Sequence, residues 1–310
     1  MICFGPIPSR RLGKSLGINN IPEQKICSYS CVYCQVGAKQ KYSISREFFY
    51  QPKQILEGVE NQLSKLAAND KPDFLTFVAN GEPTLDENLG ESIELLKQLK
   101  IPIAVITNGS LIANPDVRAD LMLADWVSIK IDTASEAIWR KLNRPHPNLD
   151  FDKIIEGIRT FAKQFEGMLA TETMLVDGIN DIPYDLERTA HNVFMANPSK
   201  AYISIPTRPP AISIVRPSSA ESINNAYQIF TRLGLNTELI LGFEGTNTGF
   251  TGNATDDILN ICAVHPLRED TMRELLANDK ADYSVLEGLL NEQKIVELEY
   301  DSMKYYLRKR

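Results

Sequence analysis

Residues 74–107 read F-L-T-F-V-A-N-G-E-P-T-L-D-E-N-L-G-E-S-I-E-L-L-K-Q-L-K-I-P-I-A-V-I-T. Two apolar runs, Phe74–Ala79 and Ile103–Thr107, enclose an amphipathic stretch, Leu89–Lys100. Each run is long enough for a strand and too short for a helix, so the stretch is a strand–helix–strand unit. The runs do not alternate with polar residues. They therefore predict strands buried on both faces, which means a parallel sheet covered by helices.

The same alternation extends in both directions. Further strands are expected at Leu16–Asn20, Trp126–Ile131, Ala170–Val176 and Tyr202–Pro206, with a weaker seventh at Glu238–Leu241. Helical patterns lie between them. Pro52–Ala68 opens with a proline suited to a first turn and sets Ile55, Val59, Leu63 and Leu66 on one stripe. Pro115–Leu123, Phe151–Phe165, Tyr184–Met195 and Ser219–Leu233 follow, the last stopped by Gly234. The expectation is an α/β fold, a partial, open six-stranded parallel β/α barrel, because the units are too few to close an eight-unit one.

After a Gly/Thr/Asn-rich stretch, Gly242–Asn253, the pattern changes. Helical patterns at Thr255–Val264, Leu267–Leu276 and Tyr283–Asn291 precede two β-runs, Ile295–Tyr300 and Lys304–Leu307, joined at Asp301–Ser302. That order is the order of a winged helix, so the domains are placed at 1–252 and 253–310. From Thr255 onward eight Lys/Arg face twelve Asp/Glu, and the third helical segment carries Asp282 and Glu287 without a basic residue. Such a face repels a duplex, and no DNA binding is expected.

The 310 residues are 43% hydrophobic and 24% charged, an ordinary folded composition. No stretch approaches a membrane span and no apolar leader opens the chain, which points to the cytosol. There, five cysteines are read as metal ligands or catalytic groups before disulfides. The net charge is −7, yet residues 1–53 hold eight Lys/Arg against Glu23 and Glu47. This basic segment on an acidic body suggests a site for an anionic ligand.

Within that segment Cys27, Cys31 and Cys34 stand as C-S-Y-S-C-V-Y-C. With five cysteines in the chain, this spacing has about 0.001 chance occurrences. Three thiolates so close on a loop can wrap one inorganic cluster, being soft ligands matched to iron–sulfur. Zinc competes, with Cys3 the nearby candidate for a fourth ligand.

The C-x3-C-x2-C loop with Tyr33 before its last cysteine resembles the signature of the radical S-adenosylmethionine superfamily. The resemblance implies a [4Fe–4S] cluster on Cys27, Cys31 and Cys34, with its fourth iron left open for the amine and carboxylate of S-adenosylmethionine. Reductive cleavage then yields a 5′-deoxyadenosyl radical that abstracts hydrogen from a substrate. An electron donor of flavodoxin or ferredoxin type and sensitivity to oxygen are implied with it.

Other motifs fall at expected strand ends. Asn80-Gly81-Glu82-Pro83 is similar to the family's G-G-E, with Asn80 in place of the first glycine, and Thr107-Asn108-Gly109 to its T-N-G. Ser128, Lys130 and Asp132 alternate on one face. The resemblance assigns these positions to the ribose and methionyl groups. The runs Phe4–Ile18, Gly81–Leu85 and Thr207–Pro210 look like a branch of Fe–S oxidoreductases similar to tRNA wyosine-synthesis enzymes, which implies an RNA substrate. A peptide or protein docked by the C-terminal domain is the alternative. Arg10, Arg11, Lys14, Arg144 and Arg208 are candidates for the substrate mouth. Cys262 reads as a buried thiol. Cys3 is open between substrate thiol, cluster neighbour and core. His146, His191 and His265 show no ligand spacing.

Overall fold

The computed structural model describes residues 2–22, 24–38, 41–66, 70–242, 245–246 and 248–309. Glu23, Lys39, Arg310 and the expected helix end at Ala67 and Ala68 lie outside them, as do residues 243, 244 and 247 of the Gly/Thr/Asn-rich stretch.

The chain opens with an antiparallel hairpin, β1 (Cys3–Ser9) and β2 (Gly13–Ile18). A two-residue parallel pair, β3 (Ile26–Cys27) and β4 (Lys41–Tyr42), then brackets the cysteine loop. After α1 (Pro52–Lys65), strands and helices alternate: β5 (Phe74–Phe77), α2 (Leu89–Leu96), β6 (Ile103–Thr107), α3 (Pro115–Leu121) and β7 (Trp126–Lys130). There follow α4 (Glu136–Leu142), α5 (Phe151–Gln164), β8 (Met168–Met174), α6 (Pro183–Ala196), β9 (Lys200–Ser204), α7 (Ala220–Arg232) and β10 (Thr237–Ile240). These strands form one open, curled sheet in the order β1-β2-β5-β6-β7-β8-β9-β10, parallel except at β1.

Eight strands replace the expected six. The weaker run near Glu238 is a full strand, and β1 carries no apolar signature because Gly5, Pro6 and Pro8 interrupt it. Prolines are tolerated there because β1 is an edge, and its register slips between Phe4 and Ile7. The helix α4 is also absent from the sequence pattern. It is only seven residues long, but Ser135 caps it and Trp139 and Leu142 anchor it.

The hairpin turn at Arg10–Leu12 plugs the inside of the curl. Leu12 packs with Ala104, Trp126, Ala170, Tyr202 and Ile240, side chains from five successive strands. The outer layer is sealed by helices such as α5, where Ile154, Ile158 and Phe161 are buried on one face and Asp150 caps the first turn by accepting from Lys153 N at 3.1 Å.

Beyond residue 252 come α8 (Ala254–Cys262), β11 (Leu267–Arg268), α9 (Glu269–Asn278), α10 (Ser284–Asn291), β12 (Ile295–Tyr300) and β13 (Met303–Arg308). The three strands form an antiparallel sheet in the order β11-β13-β12. Leu267 and Arg268, expected to start a helix, instead pair with Tyr306 and Tyr305. A second apolar core gathers Ile258, Ile261, Cys262, Met272, Leu275, Leu286 and Tyr306 around Phe4 from β1. No helix among the described residues is long and apolar enough to cross a membrane.

Candidate active site

Cys27 ends β3, and Cys31 and Cys34 follow in a tight turn closed by Cys34 N donating to Cys31 O at 3.1 Å. All three thiols are free; Cys27 is buried and the other two are half-buried. Each sulfur meets a nitrogen donor. Tyr29 N is 3.5 Å and Asn108 Nδ2 3.6 Å from Cys27 Sγ, Asn143 Nδ2 is 3.5 Å from Cys31 Sγ, and Lys25 Nζ is 3.3 Å from Cys34 Sγ.

Burial pushes the Cys27 thiol up, with Glu82 and Cys31 adding to it. Burial, with Cys34 and Asp132 beside it, takes Cys31 up to about 12. The surrounding donors work the other way, favouring the thiolate that a metal ligand must become. No group of three or more His, Cys, Asp or Glu among the described residues converges on a single-ion site. Three separate sulfurs, each with its own donor, fit a cluster that presents one iron to each cysteine.

The Asn80–Pro83 turn is docked onto this loop. Ile26 N donates to Asn80 O at 3.2 Å and Glu82 N to Ile26 O at 3.0 Å, so the turn pairs with the residue just before Cys27. Gly81 makes that possible: its φ is +143° and a Cβ would overlap the Ile26 carbonyl oxygen. Asn19 Oδ1 accepts from Asn80 N at 2.7 Å, and Asn20 Nδ2 donates to Pro83 O at 3.0 Å.

The buried Glu82 carboxylate accepts from Thr84 Oγ1 at 2.7 Å, Thr107 Oγ1 at 2.6 Å and Asn108 N at 2.7 Å. Burial raises its pKa against these bonds. Glu82 thus stitches the ends of β5 and β6 together and aims Asn108 at Cys27.

On the β7 side, Asp132 uses both oxygens. Oδ1 accepts from Met174 N at 2.8 Å, and Oδ2 accepts from the Tyr33 hydroxyl and from Asn143 Nδ2 at 2.7 Å. Lys130 lies over the Tyr33 ring at 5.0 Å and pairs with Glu172 at 3.0 Å. Burial works to lower the Lys130 pKa, but Glu172 and Asp132 raise it overall. Glu172 also pairs with Arg11 and accepts from Ser204 Oγ at 2.9 Å. These partners overcome burial and hold its carboxyl far below the usual range. Ser128 is buried two residues before Lys130 on the same strand.

The structure separates the substrate candidates. Arg10 and Arg11 lie in the plug turn, with Arg11 engaged by Glu172. Lys14 sits at the N-terminal end of β2, opposite the end of the sheet that carries the cysteine loop, and pairs with Asp70 at 3.0 Å. Arg144 is exposed, and its backbone oxygen accepts from Ser30 N of the cysteine loop at 3.1 Å. Arg208 Nη1 donates to Gln35 Oε1 at 3.1 Å, one residue from Cys34.

The basic segment is largely neutralised: besides Arg11 and Lys14, Lys41 pairs with Glu47 and Arg46 with Asp120. Cys3 is a core residue, packed with Leu16 and Ile18, and Cys262 is buried in the second core. Burial takes both thiols up to about 12. Lys25, Asn143 and Glu172 were not read from the sequence as site residues. A glutamate centred in the apolar run Ala170–Val176 was the available signal for the last.

A profile of the Radical SAM superfamily matches residues 21–190. A UPF0026 protein of Methanocaldococcus jannaschii is 46% identical over 309 residues, covering 99% of this chain and 96% of that one. A UPF0026 protein of Helicobacter pylori is 30% identical over 307 residues, covering 98% and 97%. Among solved structures, a radical SAM methyltransferase from Sphaerobacter thermophilus superposes with a TM-score of 0.53 at 15% identity, over 73% of this chain and 66% of that one, a likeness of fold.

Proposed function

The chain belongs to the radical SAM superfamily and to the UPF0026 proteins, and from that premise we propose that it reductively cleaves S-adenosylmethionine at a [4Fe–4S] cluster held by Cys27, Cys31 and Cys34. It is a radical SAM enzyme; the cluster and substrate are the proposed part. The observation that carries the reading is the set of nitrogen donors, one or more for each of the three sulfurs.

When bound, the cluster and S-adenosylmethionine supply the electron transfer and the 5′-deoxyadenosyl radical. The chain supplies position. Gly81 lets the Asn80–Pro83 backbone seat against Ile26, where it would bind the methionyl ammonium, and Ser128 and Lys130 would serve the ribose and carboxylate. Asp132, its oxygens engaged by Tyr33, Asn143 and Met174, fixes the cysteine loop against β7. A low-potential flavodoxin or ferredoxin is the proposed electron source.

For the substrate, a polypeptide is the reading with structural support. Ile182 and Tyr184 at the start of α6 are 53% and 67% exposed, and Ile214 in the segment after β9 is 81% exposed; these two parts of the rim are bridged at Val176 and Pro217 and offer apolar side chains to a partner. The C-terminal unit, bonded through Tyr300 and Tyr305 to the segment after β9, would dock it. RNA is the second reading, resting on the three runs shared with the wyosine-synthesis branch.

Anaerobic reconstitution followed by dithionite tests the core of this proposal. About four irons per chain and slow 5′-deoxyadenosine formation are expected. Changing all three cysteines to Ala removes both the iron–sulfur absorbance and the EPR signal, whereas Cys3→Ala and Cys262→Ala keep them. A triple variant that retains its cluster, or a colourless metal without deoxyadenosine, overturns it.

A further inference from the structure

Lys25 lies one residue before β3 and is only 3% exposed. A lysine so deeply enclosed needs partners for its ammonium, because an unpaired buried charge is very costly. Its Nζ donates to Gly37 O at 2.6 Å and points at Cys34 Sγ from 3.3 Å. No carboxylate pairs with it in the described residues, in contrast to Arg11, Lys14, Lys41 and Arg46 of the same basic segment. Its polar partners among the described residues are therefore the Gly37 carbonyl and the Cys34 sulfur.

The other two cysteines meet neutral amides, from Asn108 and Asn143, so the one charged donor to a sulfur sits at Cys34, and its field reaches Cys27 as well. The backbone keeps it there, with Lys41 N donating to Lys25 O at 2.8 Å across the β3–β4 pair.

We propose that Lys25 is a positioning and charge-tuning residue of the cluster site. This inference rests on the cluster reading above. A fixed cation beside one thiolate stabilises whichever cluster state carries the more negative charge. That is the state reached when a one-electron reductant, dithionite in the test below, passes its electron to the cluster and is itself oxidised. Hydrogen bonds and nearby charge at the sulfurs are established levers on such potentials. Lys25 accordingly eases the reduction that must precede cleavage of S-adenosylmethionine.

The test compares wild type, Lys25→Met, Lys25→Gln and Lys25→Arg after anaerobic reconstitution, with iron content and midpoint potential measured in each by EPR-monitored titration. Neutral variants should shift the midpoint to more negative values. At a fixed poise near the wild-type midpoint the ratio of reduced to oxidised cluster should fall about tenfold, the worth of one charge-assisted hydrogen bond. Lys25→Arg should restore most of it. A lysine that only fills space would leave the midpoint unmoved in loaded Lys25→Met, and that result overturns the proposal.

If the neutral variants do not load, wild-type protein with ¹⁵N at the lysine Nζ decides. A weak nitrogen coupling to the reduced cluster in pulsed EPR supports the contact, and its absence overturns it. Failure of wild type to take up iron would instead defeat the cluster reading itself.

Discussion

Arg208 Nη2 lies 3.0 Å from His265 Nε2, while the other amine of the same guanidinium holds Gln35 beside Cys34. Burial, with the guanidinium adjacent, holds the imidazole pKa well below its usual value, so the ring is neutral and its nitrogen accepts. Gln35 completes the link by donating to Val264 O at 3.0 Å. Two tyrosine hydroxyls add to it, Tyr300 to Pro206 O at 3.1 Å and Tyr305 to Thr207 O at 3.0 Å. The C-terminal unit is therefore a wall of the site as well as a neighbour of it.

Phe4 is the apolar counterpart of that link. It is 2% exposed and belongs to the second core although β1 carries it. Phe4→Ala is expected to cost about 3–5 kcal/mol of stability, the range for a buried aromatic, measured by denaturant unfolding. A chain cut after residue 252 should lose iron content along with stability, because Gln35 loses Val264 and Arg208 loses His265. A truncated chain that loads and cleaves S-adenosylmethionine like wild type would show that the wall is dispensable.

The parallel strands were legible because each is an apolar run in a strand–helix rhythm, and the cluster loop was legible because soft ligands at fixed spacing are rare. What escaped the sequence has physical causes. β1 is an edge strand whose prolines hide it. Lys25 counts in the basic segment expected to meet an anionic ligand and Arg11 among the substrate-mouth candidates, yet their charges point inward, to Cys34 and to Glu172. Charge counts report sign and not direction. Asn143 touches Cys31, Tyr33 and Asp132 from a position 112 residues beyond Cys31, a separation that only the fold closes.

Asp86 offers a pH test of the scaffold beneath the Asn80–Pro83 turn. It is fully buried and accepts from Asn88 N and Asn20 Nδ2, each at 3.0 Å. Burial nevertheless raises its pKa to about 6. A folded-state value above the unfolded one means that folding favours the protonated form. Its contribution is complete below the ordinary aspartate range and is lost as pH rises through about 6. Asp86→Asn should flatten that part of the stability curve by about 3 kcal/mol at most, read from unfolding at pH 4 to 7.5. An unchanged slope would show that Asp86 is ionised throughout.

Glu172 has the opposite sign. Its carboxyl, held low by Arg11 and Lys130, contributes stability above the ordinary glutamate range that is lost as pH falls below it. Glu172→Gln takes the shared carboxylate from Arg11 and Lys130, of which Lys130 keeps Asp132 at 3.9 Å, and should destabilise by about 3–5 kcal/mol at neutral pH. Adding Arg11→Met should recover part of that loss. A double variant no more stable than Glu172→Gln would mean that Arg11 has no coupling to the carboxylate.

Gly81→Ala tests the docking of the turn on the cysteine loop. The new Cβ meets the Ile26 backbone oxygen at a position of φ +143°, so no side-chain movement relieves it. The pair of bonds between Ile26 and the Asn80–Glu82 segment should open, and with it the placement of Cys27. Iron uptake is expected to fall severalfold while far-UV circular dichroism stays near wild type. Full iron content in Gly81→Ala would show that the turn does not position the loop.

Nucleic-acid binding by the full chain is expected to be weak and nearly independent of salt. Affinity for a polyanion comes from cations free to displace its counterions. Arg11, Lys14, Lys41 and Arg46 already face carboxylates, and Lys25 is buried against Cys34. In the C-terminal unit Arg268 pairs with Asp270, Arg273 with Glu269, Lys294 with Glu292 and Lys304 with Glu297. The helix α10, Ser284–Asn291, carries Glu287 and no basic residue. Binding of a duplex DNA and of bulk tRNA, measured by fluorescence anisotropy, should give a dissociation constant above about 100 μM at physiological salt. Between low and physiological salt the logarithmic slope should correspond to fewer than about two phosphate contacts. A steep slope with tRNA alone would move the substrate reading from polypeptide to RNA, and a steep slope with duplex DNA would show that the acidic face of the C-terminal unit is not the surface that meets it.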